Sequence, residues 1–469
     1  MHPLKEIIRE SRGIASFCTA NSIVLEAVIE EAASRGGYVL IEATANQVNQ
    51  FDGYTGMKPA DFAAFIHELA RKARLDEKFV ILGGDHLGPL VWKNEPESSA
   101  MEKSVELVVS YVEAGFTKIH LDTSMRLADD DPSLRLTNAT IARRGAVLAK
   151  AAVAALEKRR GYGGGVDGAG GGDERGHGRG DELVFVIGSE VPIPGGAQGH
   201  EESVSVTAPN DFVDTISAYR GVFEAEGLSA IWDDVVGVVV QPGVEFSDDS
   251  VFQYDRKAAA DLIKCLGDYP GLVFEGHSTD YQSPESLKKM VEDGVRILKV
   301  GPELTFALRE GLLSMSLLEE EMIPDRRRHS QFRSVLEEEM LSDPVYWEKY
   351  YTGTEEEKRL SRLFSYSDRC RYYLGKTAVA DSIEKLFENV DSVEKPFNVI
   401  RQYFPSVCEL FRTNGGIAAG SAHGTTGGTV RFNAGGAVNR VASARDMIKI
   451  YIRESVLNKY RYAVSCKQL

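Results

Sequence analysis

Eight times along the chain a short apolar run is followed by a helix-length amphipathic stretch, and this alternation constrains the fold more than any other feature. The runs are GIASFCTA from Gly13, YVLIEAT from Tyr38, FVILGGDH from Phe79, TKIHLDT from Thr117, LVFVIGSE from Leu183, VVGVVVQ from Val235, LVFEGH from Leu272 and VRILKVG from Val295. Between them lie stretches such as NSIVLEAVIEEAASRGG from Asn21, PADFAAFIHELARKAR from Pro59 and AMEKSVELVVSYVEAG from Ala100. Several close on glycine, which suits a helix C-terminus. Strand followed by helix, repeated, means a parallel sheet with helical crossovers. Eight such units ending near Glu320 match a closed α/β architecture, the (β/α)8 TIM barrel, better than an open sheet.

The expected barrel therefore spans residues 1–320. Past it the pattern changes to helical, aromatic-rich segments such as PVYWEKYY and EEKRLSRLFSYSDRCRYYL. Residues 321–469 are expected to form a helical C-terminal extension packed on the barrel or on a partner subunit. Two Gly-rich tracts, 161–180 and 414–437, lack the apolar residues needed to fold and read as surface loops. The first follows no strand and opens no helix at phosphate-loop spacing, so no nucleotide is assigned to it, and its His177 reads as solvated.

The 469 residues carry a net charge of -16, which argues against nucleic acid or an anionic membrane as partner. An anionic metabolite is not excluded, because a local phosphate pocket depends on backbone amides more than on net charge. No window approaches the ~20 apolar residues of a membrane span. The opening MHPLKEIIRESRG lacks the apolar core of a secretory leader. Cys18, Cys265, Cys370, Cys408 and Cys466 are scattered without CxxC spacing, so the expected setting is a reducing cytoplasm. Oligomeric state stays open, a homo-oligomer included.

In a barrel of this kind the carboxyl ends of all eight strands open into one bowl. They offer Asn21, Glu42, Asp85 with His86, His120 with Asp122, Glu190, Gln241, Glu275 with His277, and Lys299. His86, Glu190 and His277 would suit a divalent metal, and nitrogen and oxygen ligands without a thiolate fit Zn²⁺, Mn²⁺ or Co²⁺. His120 precedes Leu121, and the alternation is read as turning it into the barrel wall. Glu42, Gln47, Asn49 and Asp122 are candidates for orienting substrate hydroxyls. ILKVGPELTFALRE from Ile297 places a small-residue turn before a helix, a plausible phosphate seat at Lys299, Gly301 and Thr305, to which Ser278 and Thr279 would add. A simple βα turn with capping residues explains Pro302 and Thr305 about as well.

The segments IEATANQVNQFDGYTGM, ILGGDHLGP, AMEKSVEL, IHLDTSM, IGSEVPIPGG, VVQPGVEF, HSTDYQ and LKVGPELTFALRE resemble the GatZ/KbaZ family, in order, from about Ser16 to the end apart from the Gly-rich tracts. That family is known as the non-catalytic subunit of class II D-tagatose-1,6-bisphosphate aldolase. Some members are known as D-tagatose 6-phosphate 4-epimerases. The resemblance extends more distantly to the catalytic class II aldolases, metal-dependent (β/α)8 enzymes. By motif it implies His86 and His277 as metal ligands, Asp85 as general acid/base, a role for Glu190, and Ser278 near phosphate. There is one departure: QPG at Gln241 to Gly243 stands where the aldolases carry a histidine ligand before glycine. An amide oxygen from Gln241 would bind a transition metal more weakly.

These residues suit a metal-dependent ketose-phosphate 4-epimerase. The C4 proton of a ketose 6-phosphate is not acidic, but breaking C3–C4 sends electrons into an enediolate that a Lewis acid stabilises. The other readings are a non-catalytic subunit that stabilises a catalytic aldolase partner, and a bisphosphate aldolase active alone.

Overall fold

A computed structural model describes residues 1–163, 182–188, 204–413 and 442–465. Glu190, the tract 414–437 and all of the tract 161–180 beyond residue 163 lie outside them.

The apolar runs form eight parallel strands: β1 (Ile14–Cys18), β2 (Val39–Thr44), β3 (Val80–Leu87), β4 (Lys118–Leu121), β5 (Val184–Ile187), β6 (Val235–Val240), β7 (Val273–Gly276) and β8 (Val295–Val300). Each pairs with its neighbours in sequence, and β8 returns to pair with β1, Ile14 opposite Ile297 and Ser16 opposite Lys299. The closed parallel barrel anticipated from the alternation is thus the observed one. Helices such as Ser22–Arg35, Pro59–Ala73, Glu97–Glu113 and Asn138–Gly163 form its outer layer. Valine-rich β6, VVGVVV, is buried along its whole length, as a strand covered on both faces must be.

The barrel interior has two halves. At the amino ends of the strands Ile14, Leu40, Ile81, Val184, Val236, Val273 and Ile297 form one apolar cluster. The first helix, Pro3–Arg9, plugs that end by adding Leu4, Ile7 and Ile8 to the cluster. Further along β1, β2, β3, β7 and β8 the interior becomes polar, while Val186 on β5 and Val239 on β6 stay with the apolar cluster.

The described residues after β8 form helices and connecting turns, beginning with Pro302–Met322, which contains the position expected as the barrel's end. Phe332–Ser342, Thr377–Asp391 and Ala444–Ile452 pack on this helix, burying Leu336, Leu386 and Ile448. Ala444–Ile452 also docks on Ser22–Arg35, with Arg445 paired to Glu26 at 2.8 Å and Lys449 to Glu30 at 2.6 Å. Among the described residues no helix is long and apolar enough to cross a membrane.

Candidate active site

Side chains alternate across a strand, so a polar residue two positions beyond an interior Ile or Leu also faces the barrel axis. Six strands follow this rule to a common level. Ile14 leads to Ser16, Leu40 to Glu42, Ile81 to Gly83 and Asp85, Val273 to Glu275, Ile297 to Lys299, while β4 carries Lys118 and His120. All of these are buried. Lys118 Nζ lies 2.5 Å from Glu42 Oε1 and 2.6 Å from Glu275 Oε2. Lys299 Nζ pairs with Glu42 and lies 2.5 Å from Asp85 Oδ1. Gly83 makes room for this: a Cβ there would stand 2.6 Å from Glu42 Oε1. Gly88 serves β3 similarly, since a Cβ would meet the Asp122 carbonyl at 1.8 Å.

Above this layer three imidazoles face one another. The ring centroids of His86, His120 and His277 are 5.1 to 5.4 Å apart. His86 has a φ of 49°, a left-handed conformation rare for a non-glycine residue and concentrated at functional sites. Its Nδ1 donates to Asp122 Oδ2 at 2.9 Å, and His277 Nε2 donates to Glu275 Oε1 at 3.1 Å. His120 Nδ1 lies 2.9 Å from Asp85 Oδ1. The cluster forms the floor of a cavity of about 580 Å³, to which Cys18, Thr44, Asp85, His86, His277 and Lys299 contribute. Part of the opposite wall comes from the helical extension, through Tyr346, Arg371, Tyr372 and Lys376.

Electrostatics follow from the pairing. Burial alone would raise the Asp85 carboxyl, but His86, Lys299 and a hydrogen bond to His120 outweigh it and hold it well below the usual carboxylate range. Glu275 is held down in the same way by Lys118 and Lys299. Burial opposes the charge on Lys299, yet Asp85, Glu42 and Glu275 keep it an ammonium. Burial drives His277 down to about 3, so its ring is neutral. His86 also loses by burial, but Asp85 and Asp122 together raise it. Burial and Asp85 keep Cys18 a thiol.

This donor set suits a divalent cation. Asp85, His120, Glu275 and His277 each offer a ligand atom, all within 4.8 Å of one another. His120 Nε2 is buried without a hydrogen-bond partner. The Asp122 carboxylate fixes the ring of His86 from behind, as outer partners of metal-bound histidines do. Four buried carboxylates, Glu42, Asp85, Asp122 and Glu275, face two ammonium groups, Lys118 and Lys299. The surplus of negative charge is what a bound cation would neutralise.

The sequence-derived candidates thus divide. Asp85, His86, Asp122, His277 and Lys299 come together, with Glu42 beneath them. Gln47, Ser278, Gly301 and Thr305 line the cavity. Gln241 is engaged elsewhere: its Oε1 accepts from the N–H groups of Gly243 and Val244, both at 2.9 Å, so the amide closes its own turn. Asn49 closes a loop, donating to Ala45 O and accepting from Phe51 N and Gly53 N. Thr279 Oγ1 donates to the Lys299 carbonyl, and Asn21 caps the helix Ser22–Arg35. His120, expected in the wall, faces the axis instead, because Leu121 takes the outward position. Lys118 was not singled out from the sequence. The signal for both was their two-residue spacing from each other and from Asp122 in KIHLD.

The family model for D-tagatose-1,6-bisphosphate aldolase subunit GatZ/KbaZ-like proteins matches residues 4–421. Among solved structures, a probable tagatose 6 phosphate kinase from Sinorhizobium meliloti 1021 is 37% identical, over 96% of this chain and 100% of its own, with a TM-score of 0.80. The YdjI aldolase from Escherichia coli K12 is 13% identical, over 80% of this chain and 96% of its own, with a TM-score of 0.36. A fructose-bisphosphate aldolase from Campylobacter jejuni is 14% identical, over 83% of this chain and 93% of its own, with a TM-score of 0.40. Likeness as slight as these last two carries no functional weight. The first two matches, one to a family and one to a full-length fold, run through the strands that carry the buried cluster, and the chain belongs to the D-tagatose-1,6-bisphosphate aldolase subunit GatZ/KbaZ-like family.

Proposed function

We propose that the chain is a metal-dependent ketose-phosphate 4-epimerase, interconverting D-tagatose 6-phosphate and D-fructose 6-phosphate by retro-aldol and aldol steps. One observation carries this reading: Asp85, His86 and His277 line the floor of a cavity, and the buried His120 and Glu275 lie against them. Burying charge is costly, and a purely structural core does better with apolar residues of the same volume. The description of the S. meliloti neighbour also names tagatose 6 phosphate.

His277, His120 and Glu275, whose ligand atoms lie within reach of one another, would hold the cation, joined by His86, whose ring centroid is 5.1 Å from each of the other two imidazoles; Zn²⁺, Mn²⁺ and Co²⁺ are the metals suited to them. Such a cation would act as a Lewis acid, favouring the enediolate over the ketose. Asp85, kept ionised by Lys299, takes the proton from the C4 hydroxyl. The C4–O bond becomes a carbonyl, C3–C4 breaks, and its electron pair passes into the C2 carbonyl. The aldehyde fragment keeps the phosphate, turns its other face to C3 and is attacked there. Asp85 then returns the proton to the new C4 oxygen. Glu42, below the floor, positions Lys299 and does not line the cavity.

A second reading has its own support. The family description names an aldolase subunit, and Lys118 and Lys299 already pair three of the four carboxylates, as a stabilising partner of a catalytic subunit would require. Purified chain given Zn²⁺, Mn²⁺ or Co²⁺ and D-tagatose 6-phosphate separates the two. D-Fructose 6-phosphate forming without a partner supports the epimerase. No product, together with higher activity of an added catalytic aldolase subunit, supports the stabilising role. Cleavage of D-tagatose 1,6-bisphosphate by the chain alone would instead make it an aldolase.

A further inference from the structure

The turn after β8 is where a barrel of this kind commonly receives phosphate, through amides at the start of the following helix. In this chain those amides are committed. Gly301 N and Glu303 N both donate to Asp280 Oδ1, each at 2.9 Å. Thr305 Oγ1 donates to Asp368 Oδ2 at 2.5 Å. The protein's own carboxylates occupy the positions a phosphate oxygen would take, and an arriving dianion would meet Asp280 on the cavity wall.

On the part of the wall built by the extension the situation is reversed. Arg371 lines the cavity, and among the described residues its guanidinium makes hydrogen bonds to carbonyls and a tyrosine hydroxyl but no ion-pair contact with a carboxylate. The other cations of the wall are matched, Lys299 with Asp85 at 2.5 Å and Lys376 with Asp343 at 2.8 Å. Asp368, three residues before Arg371, is taken by Arg309 at 2.8 Å. Arg371 donates from Nη1 to the carbonyls of Ser367 and Asp368 and from Nη2 to the Tyr372 hydroxyl at 3.0 Å. A guanidinium has five N–H groups, so Nε–H and one Nη2–H remain without an acceptor among the described residues. The group is held rigidly: it stacks over Tyr372, 4.5 Å from the ring centroid, and Tyr372 packs on Tyr346 at 4.7 Å and on Tyr54 at 4.9 Å. Tyr54 comes from the loop after β2, so barrel and extension meet at this point.

A fixed, unmatched guanidinium with two free donors is a receptor for an oxyanion, since charge-assisted paired bonds to phosphate are its strongest use. We propose that Arg371, supported by Tyr54 and Tyr372, binds the phosphate of the sugar phosphate, in place of the turn after β8. This inference rests on the sugar-phosphate reading above and assigns the extension a direct part in substrate binding. It gives the aldehyde fragment an anchor on the wall while its carbonyl turns over the floor. The same residue distinguishes phosphorylated from free sugars.

Calorimetric titration of the full chain with D-fructose 6-phosphate, D-fructose and inorganic phosphate tests it. Arg371→Met is expected to weaken D-fructose 6-phosphate binding roughly 10- to 100-fold, the loss of one or two hydrogen bonds to a charged group, and to leave D-fructose unaffected. Arg371→Lys keeps the charge without the fork and should fall between, which also covers the case in which the methionine variant does not fold. Both variants binding the sugar phosphate within twofold of the parent would overturn the assignment while leaving the epimerase reading intact. Inorganic phosphate bound by the parent and lost in Arg371→Met, with no sugar phosphate bound by either, would keep the anion seat and defeat the sugar-phosphate reading. A parent chain that binds neither ligand overturns both.

Discussion

The two halves of the barrel interior are built from the same strands, two residues apart, and are held together by different physics. At the amino ends, Ile14, Leu40, Ile81, Val273 and Ile297 fill the axis under a plug of Leu4, Ile7 and Ile8. This is burial of apolar surface, non-directional and tolerant of small changes. At the carboxyl ends, Glu42, Glu275, Lys118 and Lys299 occupy equivalent inward positions, fully or almost fully buried. There each group depends on a named partner, and the pairs contribute little net stability after desolvation. The lower half makes the barrel stable; the upper half uses that stability to keep charges where water would scatter them.

The contrast can be broken in four places. Asp85→Asn, in the upper half, should lower epimerase turnover by roughly 10²–10⁴, the usual value of a positioned acid/base, while the chain stays folded. Unchanged turnover by steady-state assay would remove Asp85 from the chemistry. Lys118→Met deletes the ammonium shared by Glu42 and Glu275 and should cost about 3–5 kcal/mol in urea unfolding, because two buried carboxylates lose a partner. Adding Glu42→Gln and Glu275→Gln to that variant should restore much of the loss, a recovery no apolar site would give. Leu40→Ala, in the lower half, should cost about 2–5 kcal/mol by leaving a cavity, with turnover per folded molecule preserved.

The smallest effect concerns pH. His2 lies buried at the plugged end, where burial lowers its imidazole from 6.5 to about 4. Its folded form resists the proton that the unfolded chain accepts, so its contribution is complete above pH 6.5 and is lost as pH falls from there toward 4. Of the stability lost between pH 7 and pH 5, about 2 kcal/mol belongs to His2, and His2→Asn should remove that share, while His277, held neutral by burial in the same way, keeps its own. Asp85 and Glu275 add nothing to this window, because carboxylates held well below their ordinary range lose their contribution only in stronger acid. A slope left unchanged by His2→Asn would show that His2 is not among the acid-sensitive groups.

Much of this was legible in the residues. The eight apolar runs correspond to β1–β8, because burial on both faces favours strands that are mostly apolar whatever the neighbours are. GGDH and EGH stood out because a polar residue at the end of such a strand needs a reason. His120 was placed in the wall from its neighbour Leu121, when its partners at Lys118 and Asp122 gave the direction. Gln241 drew notice as a ligand by position alone; that its oxygen closes its own turn depends on local geometry.

The sequence by itself determined the alternation, and with it the closed barrel, since periodicity and strand composition act over a few residues at a time. Only the tertiary structure decided which charges meet. Glu42 finds Lys118 and Lys299, Asp280 fills the turn after β8, and Arg371 reaches the cavity from the helical extension. Such pairings join residues up to hundreds of positions apart, and their energies depend on ångström distances and burial that no local pattern encodes.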